Sequence, residues 1–168
     1  MLTLESATIQ LAQQASVILS LVERVSQEQA AWKPSPQEWS MLEVINHLAD
    51  EEREDFRTRF DLILNQPSAA WPSIHPSAWV TERSYNTQDP AESLERFLRE
   101  RQKSLDWLNA LSDVNLEQSH THPKVGPVRA ADLLASWLAH DLLHIRQITR
   151  LHYQYLQMDF EIDYAGDW

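Results

Sequence analysis

His140 and His144 stand four residues apart in Trp137-Leu-Ala-His140-Asp-Leu-Leu-His144-Ile-Arg-Gln147. On a helix that spacing puts both imidazoles on one face, one turn apart, where they can share a metal ion. The same spacing suits two core histidines hydrogen-bonded inside a bundle, so the pair needs further ligands to decide its chemistry. At about 100° per residue, Leu133, Trp137, His140, His144, Ile148 and Leu151 fall on one stripe, which turns the histidines inward. Two neutral imidazoles among Leu and Trp are costly unless partnered, and a shared cation satisfies both.

A third ligand has to come from another element. His47 lies in Val44-Ile-Asn-His47-Leu-Ala-Asp50-Glu51-Glu52, on a stripe with Val44, Glu51, Glu54 and Thr58. Alone it could equally be a polar residue at the edge of a core stripe. Glu51, one turn on, points toward the same place; it could be an ion-pair partner, a further ligand, or a proton acceptor as bound water or thiol ionises. Glu52, Glu54 and Asp55 read as a solvated face. His75, between Ile74 and Pro76, reads as a surface residue, and His120-Thr-His122 as a loop pair with no helix to fix it. His140-Asp-Leu-Leu-His144 is close to the His-Glu-x-x-His of zinc proteases, but Asp141 replaces the glutamate base, which argues against proteolysis.

Four helices must position these residues. Leu4, Leu11, Ala15, Ile18, Val22 and Val25 recur at helical spacing between Thr3 and Ser26, and two prolines in the connector from Ala31 to Trp39 end that run. Ser40-Met-Leu-Glu43 has the form of a capping box and starts a second helix, which runs to about Asn65 and carries His47. Asp89-Pro90-Ala-Glu92 starts a third, with Leu94, Phe97, Leu98, Leu105, Leu108 and Leu111 facing inward and Glu95, Arg96, Arg99, Glu100 and Arg101 facing solvent. The fourth runs from about Val128 to Leu156. Its apolar residues extend to Leu134, Leu138, Leu142 and Ile145, so it is either the central helix or half of a dimer interface. Gln66 to Gln88 is long for a bundle connection and carries Trp71, Trp79 and Tyr85; it reads as a flap over the open side of the metal. The tail from Met158 alternates apolar and acidic residues too briefly to assign.

The 168 residues suit a single domain spanning 1–168 around one core. With no cysteine, disulfides and thiolate ligands are excluded, so any metal must use His, Asp, Glu or water. A net charge of -11 repels phosphate backbones, and no basic stripe offsets it, so no nucleic-acid partner is expected. No apolar run approaches the roughly 18 residues of a membrane span. The N-terminus lacks a basic or apolar leader, and a cytoplasmic protein with no membrane partner is expected. Two glycines leave few hairpin turns and no phosphate-cradling loop, which points to an all-α chain.

Trp39-Ser40 and His47-Leu48, followed far downstream by His140-x-x-x-His144-x-x-Gln147-Ile148, resemble the DinB-like superfamily of metal-binding four-helix bundles, also called the YfiT group, across nearly the whole chain. The resemblance implies an all-α, up-down-down-up four-helix bundle, a homodimer, and one divalent ion, zinc or nickel, on His47, His140 and His144. It implies S-transfer from a low-molecular-weight thiol cosubstrate to a small molecule, or hydrolysis of one; a non-catalytic, stress-related metal-binding bundle is the other class it allows. The thiol-dependent maleylpyruvate isomerases of that family carry Glu where this chain has His140, which sets the chain among the tri-histidine members. Three neutral imidazoles leave positions open for water or thiolate. Any thiol must come from outside a chain without cysteine.

Overall fold

The computed structural model describes residues 2–66 and 68–162. The helix starts read from the sequence are built as their side chains dictate. Thr3 and Ser6 cap α1 (Leu4–Val22) reciprocally, and Ser26 caps the short α2 (Gln27–Ala31). Glu43 N donates to Ser40 Oγ at 3.1 Å and Ser40 N to Glu43 Oε2 at 2.8 Å, forming the capping box of α3 (Met41–Glu51). A connector containing α5 (Pro76–Glu82) and a 3₁₀ turn (Tyr85–Thr87) follows α4 (Arg57–Asn65). Asp89 caps α6 (Pro90–Ala110), and α7 (Ala130–Leu156) completes the bundle. None of the described helices is long and apolar enough to cross a membrane.

The second long helix is not continuous, as the sequence pattern suggests, but widens into a π-helical turn at Glu52–Phe56, where Arg57 N donates to Glu52 O. The buried residues Val44, Leu48, Glu52, Phe56 and Phe60 are spaced by four. Each such step drifts about 40° around an α-helix. One wide turn takes up that drift, so the same stripe stays inward from α3 into α4.

Long-range contacts fix the topology. Asn46 meets Arg96, Glu52 meets Arg101 and Phe60 meets Trp107, so α3–α4 and α6 run parallel. Gln14 bonds to Leu138 O and His152 to Leu21 O, so α1 and α7 run parallel. His47 lies beside His144 while Phe56 stacks on Trp137, so the two pairs are antiparallel. This is the up-down-down-up bundle, and it explains the long connector: the chain must return the full length of α3–α4 before α6 can begin. Tyr85 anchors that return by donating to Asp50 Oδ2, and Arg83 pairs with Asp50 and Glu54 while lying over the Trp79 ring.

Two apolar clusters fill the bundle. One joins Ile18, Val44, Leu48, Phe97 and Ile148; the other joins Leu11, Phe56, Phe60, Leu134 and Trp137. Between them lies a polar layer. Arg101, expected on the solvent side, is 1% exposed and donates to Glu52 Oε1 at 2.6 Å, to both Asp141 carboxylate oxygens at 2.7 and 2.9 Å, and to Leu11 O at 2.8 Å. Trp137 Nε1 adds a 2.7 Å bond to Glu52 Oε1. The solvated acidic face expected at Glu52, Glu54 and Asp55 is therefore wrong for Glu52 and Asp55, which are buried. Helical spacing cannot distinguish an outward charge from an inward one that meets its counter-charge.

The second connector holds a hairpin. β1 (Ser119–His122) pairs antiparallel with β2 (Gly126–Arg129), with His120 opposite Val128. Gly126, one of only two glycines, supplies the φ of +80° at its turn. In the tail, residues 163–168 lie outside the described residues.

Arg101→Met should leave Glu52 and Asp141 buried without a cation. The expected cost is about 3–5 kcal/mol of unfolding free energy, measured by urea denaturation. A loss under about 1 kcal/mol would show that the layer does not depend on the guanidinium.

Candidate metal centre

The antiparallel crossing of α3 and α7 brings His47 to His140 and His144. His140 Nε2 is 3.2 Å from His47 Nε2 and 3.2 Å from His144 Nε2. The three residues form one group whose ligand atoms all lie within 4.8 Å of one another. Metal–imidazole bonds of 2.0–2.1 Å in tetrahedral geometry set nitrogens about 3.3 Å apart, so the spacing fits a shared ion.

Hydrogen bonding fits it too. His144 Nδ1 lies 2.8 Å from Gln147 Oε1, an acceptor only, so its proton sits on Nδ1 and its Nε2 presents a lone pair. His140 Nε2 faces two such neighbours and can donate to only one. Burial first, then the neighbouring histidines, lowers the pKa of His47 to about 2. His140 falls to about 3 through burial, then His144 and Arg101, and burial also lowers His144. All three are neutral at pH 7, the state in which imidazole binds metal.

Residues 10–148 match the DinB superfamily. The chain belongs to that family. The structure of YfiT from Bacillus subtilis, described as a probable metal-dependent hydrolase with an unusual four-helix bundle topology, is similar to this one. The two share 22% identity with a TM-score of 0.79, over 90% of this chain and 87% of that one; at such identity the likeness is one of fold. None of the curated proteins matches significantly.

Within this DinB bundle, Glu51 does not take the place expected from its stripe. It stands outside the three-histidine group, with Oε1 3.9 Å from His47 Nδ1, the ring nitrogen turned away from His140. Both atoms are buried and lack a hydrogen-bond partner among the described residues. Burial first, then Asp55, pushes the Glu51 carboxyl up to about 9, so with His47 neutral the contact is not an ion pair at pH 7. A small closure would make it the hydrogen bond that orients a metal-ligating imidazole.

Two aromatic rings pack on the histidines. Trp39 lies 4.9 Å from His47 and parallel to His144 at 6.5 Å, and Phe56 lies 5.1 Å from His140. Trp39 comes from the α2–α3 connector, not from the Gln66–Gln88 connection expected to cover the metal. The aromatics of that connection are engaged elsewhere: Trp71 on His120 and His122, Trp79 under Arg83, and Tyr85 on Asp50. Pro67 lies outside the described residues.

Sequence reading missed the roles of Gln147 and Asp141. Gln147 was visible only as the third residue after His144. Asp141 is 1% exposed and bound to Arg101, so it braces α7 beside His140 instead of replacing a protease base; burial raises its pKa to about 6, against the pull of Arg101. His120 and His122 lie on the hairpin against Trp71, and His75 N-caps α5; none joins the three-histidine group.

His47→Ala, His140→Ala and His144→Ala should each lower bound divalent metal well below one per chain while circular dichroism keeps its helical signal. Stoichiometric metal in all three, by elemental analysis of untagged protein, would mean that this cluster is not the site.

Proposed function

We propose that the chain is a cytoplasmic, divalent-metal-dependent enzyme in which His47, His140 and His144 hold one ion, zinc or nickel, and that it hydrolyses a small molecule or transfers a low-molecular-weight thiol to one. The observation that carries this reading is the convergence of three neutral imidazoles, with His140 Nε2 3.2 Å from the Nε2 of both His47 and His144. A divalent ion on three imidazoles supplies Lewis acidity that brings the ionisation of water or a thiol near neutral pH.

This chain's residues would do the rest. Gln147 fixes the tautomer of His144 through Nδ1, and Glu51 is placed to do the same for His47. Trp39 and Phe56 wall the imidazoles against water, which strengthens electrostatic interactions inside. The Arg101–Asp141 pair holds α7 in register beside His140. With no cysteine, the thiol of a transfer reaction is a cosubstrate. A homodimer is also proposed, on the exposed Leu142 and Leu143 of α7, 56% and 53% accessible.

Metal-loaded protein offered ester and amide substrates, and separately a thiol panel with electrophilic acceptors, should turn over in one of the two sets and lose turnover on chelation. Metal binding without turnover in either set would identify a metal-binding bundle protein. Glu51→Leu should weaken metal affinity about 10-fold or more, without loss of helix, while Glu51→Gln, which keeps an accepting oxygen, should retain it, if the carboxyl orients His47; unchanged affinity in Glu51→Leu would confine the site to the three histidines. Sedimentation at micromolar concentration should give a dimer that Leu142→Lys/Leu143→Lys converts to monomer, and a wild-type monomer would remove that proposal.

A further inference from the structure

The segment that leads from α2 into α3 ends on the histidine cluster, and it is held there unevenly. Its two ends are firm. Trp32 N donates to Gln29 O at 3.3 Å and its ring meets Tyr155 edge to face at 5.6 Å, while Ser40 caps α3 and donates through Oγ to Asn86. Between them, Pro34 and Pro36 have no N–H to donate, and the described backbone hydrogen bond within residues 33–39 is the local one from Glu38 N to Ser35 O at 3.1 Å. Side chains do the fastening. Lys33 Nζ donates at 3.0 Å to Glu43 of α3, which is buried. Toward α7 the segment makes one polar contact among the described residues, the ion pair of Glu38 with Arg150, whose side chains are 35% and 54% exposed. An ion pair so open to solvent is weak and screened by salt. Trp39, half-buried at the end of the segment, rests on His47 at 4.9 Å and lies parallel to His144 at 6.5 Å.

We propose that residues 33–39 are a hinged cover of the metal centre, with Trp39 as the part that shields the ion and the Glu38–Arg150 pair as the latch that shuts it. The inference rests on the metal-binding reading above. His47 belongs to α3 and His140 and His144 to α7, so a strap fastened to α3 and latched to α7 spans the two sides that hold the ion. Opening breaks the exposed pair and the Trp39 contacts, and leaves the buried cap and the Lys33–Glu43 bond of α3 in place. The ligands need not move with it. Arg101 ties the π-helical turn to α7 through Glu52 and Asp141, which keeps the histidines in register while the strap swings. Shut, the cover keeps water from the ion; open, it admits the metal and what the metal acts on. The latch touches none of the ligands, so it sets how often the site opens and not how tightly an ion inside is held.

Metal exchange tests this without turnover. Cobalt(II) uptake is followed by its visible absorption in stopped flow, and release by adding EDTA at concentrations where the rate no longer depends on it. Glu38→Gln, Arg150→Gln and the double variant should each raise uptake and release by the same factor, about 2- to 5-fold, and leave the dissociation constant within about 2-fold of wild type. The two single variants change the net charge in opposite directions, so long-range attraction of the cation would move uptake oppositely, whereas a latch moves it the same way. Raising salt should speed release from wild type toward the rate of the variants and leave theirs in place. Arg146→Gln, which removes a charge from the same helix without touching the latch, should exchange at the wild-type rate. Trp39→Ala should exchange at least as fast as the double variant and gain nothing from Glu38→Gln, and the surface variants decide the matter by themselves if Trp39→Ala does not fold. Exchange at the wild-type rate in both single variants, or faster release with weaker binding and unchanged uptake, overturns the cover and keeps the metal-site reading. Failure of the wild-type histidines to take up cobalt removes both.

Discussion

A guanidinium sealed inside a helical bundle must be met by charge, and Arg101 is met from every side. Its partners come from α1 through Leu11 O, from the π-helical turn through Glu52, and from α7 through Asp141. Arg101 itself belongs to α6, so one side chain ties all four long segments together. Such a cluster adds less net stability than an apolar core of equal volume, but it tolerates almost no displacement, since a slip of one turn would strand a buried charge. The register of α7 against α3 follows from it, and that register decides whether His140 and His144 meet His47.

The π-helical turn belongs to the same constraint. The stripe from Val44 to Phe60 advances by fours, and an unbroken α-helix would rotate its later members out of the core. Widening one turn brings Glu52 to Arg101 and keeps Phe56 and Phe60 inward, while His47 and Glu51 remain on the face toward α7. The helix gives up regular hydrogen bonding over one turn, and the bundle gains a polar layer and a histidine cluster side by side.

Around the histidines the charge balance is uneven. Asp50, Glu51, Glu52, Asp55 and Asp141 are all buried, and the described cations among them are the arginines that meet Asp50, Glu52, Asp55 and Asp141. Glu51 has no such partner, and its carboxyl is held protonated by burial and by Asp55. Three imidazoles with inward lone pairs beside a carboxyl of this kind make a place where a divalent cation is better accommodated than any single proton.

Local signals determined much of this protein. The caps at Thr3, Ser40 and Asp89 depend only on residues three apart, and they set the helix starts where the sequence placed them. The histidine pair on α7 follows from helical geometry within one turn, and membership of the DinB family was carried by a motif order that needs no coordinates. What only the tertiary structure decided depends on a partner distant in sequence. Arg101 and Glu52 look like surface charges until α6 and the π-helical turn lie side by side, 49 residues apart. Glu51 shares a stripe with His47, yet the stripe cannot say which ring nitrogen it meets, because that depends on the rotation of a side chain held by His140 and Trp39. Trp39, not the aromatics of the long connector, reaches the cluster, because those aromatics are engaged by Asp50, Arg83 and the His120–His122 hairpin. Periodicity assigns a residue to a face; which faces meet, and at what register, is fixed by the complementarity of buried groups.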